Sequence, residues 1–169
     1  MLWEKSFRER IQRFGHRNMR KTGDIPISIK IRVSSGCFHR EHSPHAYQII
    51  DEYIQLNPDK DYQFEEHESG PELLVWASVL AAGITISANI INLVTAIIKS
   101  RSEGIKLGDR PDAPLELIIR YFDENGNLRE ENILKIDSRE SIPENLIEKA
   151  ILKNTNQLNM HKKRKKKDK

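Results

Sequence analysis

Residues 73–98 read LLVWASVLAAGITISANIINLVTAII, 26 consecutive positions without a charged side chain. As one helix they would reach about 39 Å, more than the ~30 Å hydrocarbon layer of a bilayer. Glu65, Glu66, Glu68 and Glu72 precede the stretch, and Lys99, Arg101 and Lys106 follow it, so a membrane crossing would leave its C-terminal side in the cytoplasm. The stretch is not evenly apolar. Ser78, Ala82, Thr85, Asn89, Asn92, Ala96 and Lys99 recur at steps of four and three, opposite Leu73, Trp76, Leu80, Ile84, Ile91, Val94 and Ile98. A small-and-polar stripe on an oily helix suits a seam against solvent, a twin helix or a membrane partner. Ser78, Thr85, Asn89 and Asn92 are therefore the candidate interface residues. An asparagine buried alone in mid-helix is costly, so Asn89 and Asn92 are expected to face water or each other across an oligomer.

Outward from this stretch, the flanks read as strands and shorter helices. Ile27, Ile29, Ile31 and Val33 alternate with Ser28, Lys30 and Arg32, the period of a strand with one buried face. Pro44 opens a helix of about three turns carrying Tyr47, Ile50, Tyr53 and Ile54, which Asn57-Pro58-Asp59 closes. Tyr62 to Glu66 is a second strand. A loop with Gly104, Gly108, Pro111 and Pro114 precedes a hairpin, Leu115 to Phe122 and Leu128 to Ile136, about Asn125-Gly126, with an irregularity in the alternation near Ile133 and Leu134. A last helix presents Leu146, Ile147, Ala150 and Ile151. A membrane crossing would part the hairpin from the first strand, and an isolated hairpin is marginal. The leading expectation is therefore an α+β fold: a small two-layer α/β sandwich of order βαβαββα with one unusually long apolar helix lying across the sheet. Its first βαβ unit should be directly parallel, or cross one intervening strand as in a ferredoxin-like layer.

The formal net charge of +3 averages three unlike regions: +5 over residues 1–21, −8 over 22–160 and +6 over 161–169. They divide the chain into a basic amphipathic N-terminal arm (1–24), an α/β domain (25–155) and a disordered polybasic tail (156–169). In the arm, Trp3, Phe7, Ile11 and Phe14 form an apolar stripe, which suits either an anionic membrane surface or docking on the chain's own acidic domain. Arg10, Arg13 and Arg17, with Lys162, Lys163 and Arg164 of the tail, are the candidate polyanion or lipid contacts. An acidic body is not the footprint of a nucleic-acid domain, so nucleic acid is not an expected partner. The one cysteine excludes an intramolecular disulfide, and the charged N-terminus lacks the apolar core of a secretory signal, which points to a cytoplasmic protein, membrane-associated in the alternative.

Chemistry concentrates in one loop, where Cys37, His39, His42 and His45 place four borderline ligands within nine residues. Thiolate and imidazole are zinc ligands, which makes these four the candidate metal set. Their spacing is not that of a finger, and a histidine-rich surface loop is the ordinary reading. Glu65-Glu66 and Glu130-Glu131 are adjacent in strands and point to opposite faces, so neither is a two-carboxylate site. No phosphate loop, nucleophile elbow or nucleotide fingerprint occurs. No catalytic residue and no cofactor are expected.

The opening strand 27–33, the helix ending near Asn57-Pro58, the second strand, the charge-free 73–98 with its basic exit at Lys99 and Arg101, and the hairpin about Asn125-Gly126 together resemble a family. It is effector-associated constant component 1, a small domain of bacterial conflict systems, and the resemblance spans about residues 25–137. It implies a non-enzymatic component that accompanies variable effectors. The function expected is a non-catalytic adaptor acting through protein–protein contacts, with a protein partner or a second copy. The alternative is a single-pass membrane protein whose basic ends contact anionic lipid.

Overall fold

The computed structural model describes residues 2–18, 24–33, 38–58, 62–66, 72–79, 86–110, 114–137, 142 and 145–155. The elements run α1 (Leu2–Asn18), β1 (Ile25–Val33), α2 (Pro44–Leu56), β2 (Gln63–Glu66), β3 (Glu72–Val79), α3 (Ala88–Lys106), β4 (Leu115–Phe122) and β5 (Leu128–Ile136), followed by a helix over 146–155, here α4. The α+β class is as expected. The long apolar helix is not. Its first part is strand β3, its last part lies in α3, and among the described residues no helix is long and apolar enough to cross a membrane.

The reason lies in where β3 sits. The sheet is ordered β2-β3-β1-β4-β5 with every neighbouring pair antiparallel, so β3 is an inner strand. Leu73, Val75, Ala77 and Val79 enter the main core, while Leu74 and Trp76 enter a second core on the other face. A strand buried on both faces has no polar alternation and reads as a continuous apolar run, like a buried helix. Ser87 then starts α3 as its N-cap, its Oγ accepting the Asn89 N–H at 3.2 Å. The stripe through Ser78, Asn89 and Asn92 is consequently not one helix face, since Ser78 lies in β3 and the asparagines in α3.

With β3 present, β1-α2-β2-β3-α3-β4 is a split βαβ core of ferredoxin-like order. β1 and β2 run parallel with β3 between them, the second of the two arrangements expected. Helices α2 and α3 cover one face of the sheet, with Tyr47, Ile50, Leu93, Val94 and Ile97 in a core that also takes Ile147 and Ile151 of α4. Helix α1 covers the other face, so the sandwich has three layers rather than two. Its Phe7, Ile11 and Phe14 are buried against Leu74 and Trp76, whereas Leu2 and Trp3 remain exposed. The amphipathic arm thus docks on its own domain.

The hairpin closes differently from a turn with two positive-φ residues. Gly126 alone takes the left-handed conformation (φ 77°), while the Asp123 carboxylate accepts the N–H groups of Asn125 and Asn127, each at 2.9 Å. These backbone hydrogen bonds, reinforced by Arg129, hold the Asp123 carboxyl below its usual range. The irregularity in β5 is a bulge: Leu117 pairs with Leu134 and Ile118 with Asn132, leaving Ile133 over.

Docking of α1 predicts a sharp contrast along its apolar stripe. Ile11→Ala or Phe14→Ala should lower unfolding free energy by about 2–4 kcal/mol, whereas Trp3→Ala should stay within about 0.5 kcal/mol. Urea denaturation of the full chain measures both.

Candidate functional site

Strand β2 is the short edge of the sheet, and a groove opens on either side of it. On the α2–α3 side an open groove is lined by Tyr53, Asn57, Pro58, Tyr62, Asn89 and Asn92. Its floor is set by the end of α2. The Asn57 backbone N–H and side-chain amide both donate to the Tyr53 carbonyl at 2.9 Å, and the Tyr62 hydroxyl donates to the Asn57 carbonyl at 3.0 Å. Opposite, Ile90, Ile91, Leu93 and Val94 turn α3 inward, which leaves Asn89 and Asn92 exposed on the groove. Both asparagines are therefore exposed on the chain, as either of the two arrangements expected of them requires. Ser78 is half-buried on the sheet face opposite to this groove, and Thr85 lies outside the described residues. The four candidate interface residues do not form one surface.

The second groove lies between α1 and the same edge and is lined by Arg10, Arg13, Phe14, Arg17, Gln63, Glu65 and Trp76. Arg10 is committed: its guanidinium pairs with Glu65 at 2.5 Å and sits 5.3 Å from the Trp76 ring. Glu65 also accepts the Trp76 indole N–H at 2.9 Å. Arg13 and Arg17 are exposed and form no ion pair among the described residues. Their charge is left to the groove. Lys162, Lys163 and Arg164 lie outside the described residues.

The histidine loop is organised by two side chains that sequence reading passed over. Arg40 makes two parallel bonds to Asp51 (2.7 and 2.8 Å), reaches Glu66 at 2.5 Å, and lies 4.8 Å from the Tyr47 ring. The Asp51 and Glu66 carboxylates raise the guanidinium pKa still further, and the Arg40 hydrogen bonds hold the Asp51 carboxyl below its usual range. This clamp ties the loop to α2 and to β2.

Asp109 caps α2 from a distance. Its carboxylate accepts the N–H groups of His45 (3.1 Å) and Ala46 (2.9 Å) and lies 2.7 Å from His45 Nδ1, while Ser43 makes no side-chain cap. Two of these three contacts on one buried carboxylate satisfy backbone donors of the helix end that would otherwise be orphaned. Gly104 makes this possible. It belongs to α3 rather than to a linker, and a Cβ there would strike the Asp109 carboxylate and come within 2.8 Å of the Ala46 nitrogen.

The proposed ligands are thus differently engaged. His45 has one ring nitrogen on Asp109, and the His39 and His42 rings meet edge-on with centroids 6.3 Å apart. Among the described residues no three His, Cys, Asp or Glu side chains are placed to share an ion, and Cys37 lies outside them. Asp109 was beyond sequence reasoning because 64 positions separate it from His45. Tyr53 has the spacing of a helix position and Tyr62 opens a strand, so no local pattern joins them into a rim. The chain matches no family model, no curated protein and no solved structure.

Two stability experiments check this architecture. Gly104→Ala should cost about 2–3 kcal/mol by overpacking the α2–α3 contact, read as a lower denaturation midpoint at unchanged m. Asp51→Asn should cost no more than about 1 kcal/mol at neutral pH, because the pair is half-exposed. The Asp51 pKa is lower folded than unfolded, so its contribution is complete above the unfolded value and lost as pH falls through the folded one. The difference between wild type and Asp51→Asn should therefore vanish in acid. A gap that persists there assigns it to packing instead.

Proposed function

We propose that the protein is a non-catalytic adaptor that acts through protein–protein contacts, with the groove at Tyr53, Tyr62, Asn89 and Asn92 as its contact surface. The observation that carries this reading is the groove's composition. Tyrosine offers a large, stiff, amphipathic contact at small entropic cost, and asparagine supplies adaptable donors and acceptors, the pairing that binding surfaces favour. Both tyrosines are half-buried and Tyr62 is anchored through its hydroxyl, so the rim is pre-organised.

The resemblance to effector-associated constant component 1 supports the same reading through the elements that remain: the opening strand, the helix closing at Asn57-Pro58, the second strand and the hairpin. The charge-free helix that also carried it is divided between β3 and α3. Among the described residues no helix offers the single-pass alternative a span. Contact with anionic lipid through the basic ends is the remaining part of it, and Arg10 is already spent on Glu65.

A photo-crosslinking amino acid placed at Asn89 or Asn92 in the producing cell tests the proposal. Discrete adducts are expected at these two positions and not at Glu130 on the far edge strand, with an adduct of doubled mass identifying a second copy. Equal labelling at all three positions, or none at Asn89 and Asn92, overturns it.

A further inference from the structure

We infer that the outer edge of β2 accepts an extended acidic peptide segment as a sixth strand, its alternate carboxylates paired with Arg13 and Arg17. This rests on the protein-contact reading above and names the chemistry of the partner. β2 pairs with β3 on one side, and among the described residues no strand pairs with its other side. Such an edge presents free backbone N–H and C=O groups, the template for strand addition.

The two edges of the sheet are differently defended. β5 carries Arg129, Glu130, Glu131 and Lys135 and is broken by the bulge at Ile133, features that discourage pairing. On β2 the charges are already used: Glu65 is held by Arg10 and Trp76, and Glu66 by Arg40. Neither carboxylate is left to repel an incoming acidic strand.

Charge then selects the occupant. Arg13 and Arg17 line the groove that also contains Gln63 and Glu65 of β2, and with Glu65 neutralised by Arg10 the groove is left cationic. The two arginines are one turn apart, about 6 Å along α1. Alternate residues of a strand are about 6.7 Å apart on one face. A segment with acidic residues at every second position therefore offers carboxylates at a spacing that matches the two guanidiniums. Its intervening side chains fall on the Phe64 side of the edge, towards Tyr62 and the asparagine groove.

The test uses the full chain and a fluorescein-labelled octapeptide alternating glutamate and threonine, read by anisotropy at low salt. Tighter binding than the lysine–threonine counterpart by about tenfold is expected, with weakening of about fivefold or more in Arg13→Gln/Arg17→Gln and no change in Lys99→Gln. Methylating the odd or the even backbone nitrogens of the peptide should abolish binding in at least one version. Equal affinity for both peptides, full affinity of both methylated versions, or indifference to the arginine pair overturns the proposal. So does sedimentation with phosphatidylserine vesicles that needs Arg13 and Arg17 while the glutamate peptide does not bind. Crosslinks from Asn89 and Asn92 that persist after such a failure would leave the adaptor reading standing without the β2 edge.

Discussion

Trp76 is the largest side chain of the second core, and the covering of that core governs the rest of the molecule. It projects from an inner strand whose alternate residues fill the opposite core, so the sheet can bury it only if something covers that second face. Helix α1 is the cover. Phe7 lies 5.5 Å and Phe14 6.5 Å from the indole ring, and the indole N–H is satisfied by Glu65 of the neighbouring strand. A large aromatic ring contributes most when its apolar area is hidden and its one polar group is paired, and both conditions hold. An arm that reads as an appendage is thus a structural layer.

The same covering sets the electrostatics of the surface. Lys30 and Arg120 lie on the α1 face of the sheet and are buried by it, with the Arg120 guanidinium 4.6 Å from the Phe7 ring. Arg8 is placed over Phe122 at 4.0 Å and donates to the Gly126 carbonyl of the hairpin turn. Cations over aromatic faces, as well as ion pairs, secure the basic helix to this face of the sheet. The arm's positive charge is therefore partly consumed by docking. Among the described residues of α1, Lys5, Arg13 and Arg17 remain exposed, and the two arginines lie next to the short edge strand β2.

How much of this was legible follows from the range over which each element is determined. β1 showed because one of its faces is polar. The boundaries of α2 showed because Pro44 and Asn57-Pro58 act within a residue or two, and the bulge at Ile133 showed as a break in alternation. β3 was hidden by its own burial. Its β-branched and aromatic start, with Gly83 and Ser87 as punctuation, was the available signal, and the absence of charge outweighed it. The Asp109 cap and the Arg40 clamp join residues far apart in sequence, and no local pattern encodes them.

The misread stretch also changes what its polar residues are for. On one long helix, Ser78, Asn89 and Asn92 would have needed a partner to bury them. Split between β3 and α3, they answer to separate constraints. Ser78 faces the α1 side of the sheet, while the asparagines occupy the first turns of a helix whose apolar face is already full. Packing leaves Asn89 and Asn92 free to be chosen for what they meet outside the molecule. Tyr53, in the last turn of α2, and Tyr62, just before β2, share that rim although neither segment has a sequence relation to α3. Four side chains from three separate segments meet on one groove, the two tyrosines packed against the main core and the two asparagines, which the core does not need, exposed above them.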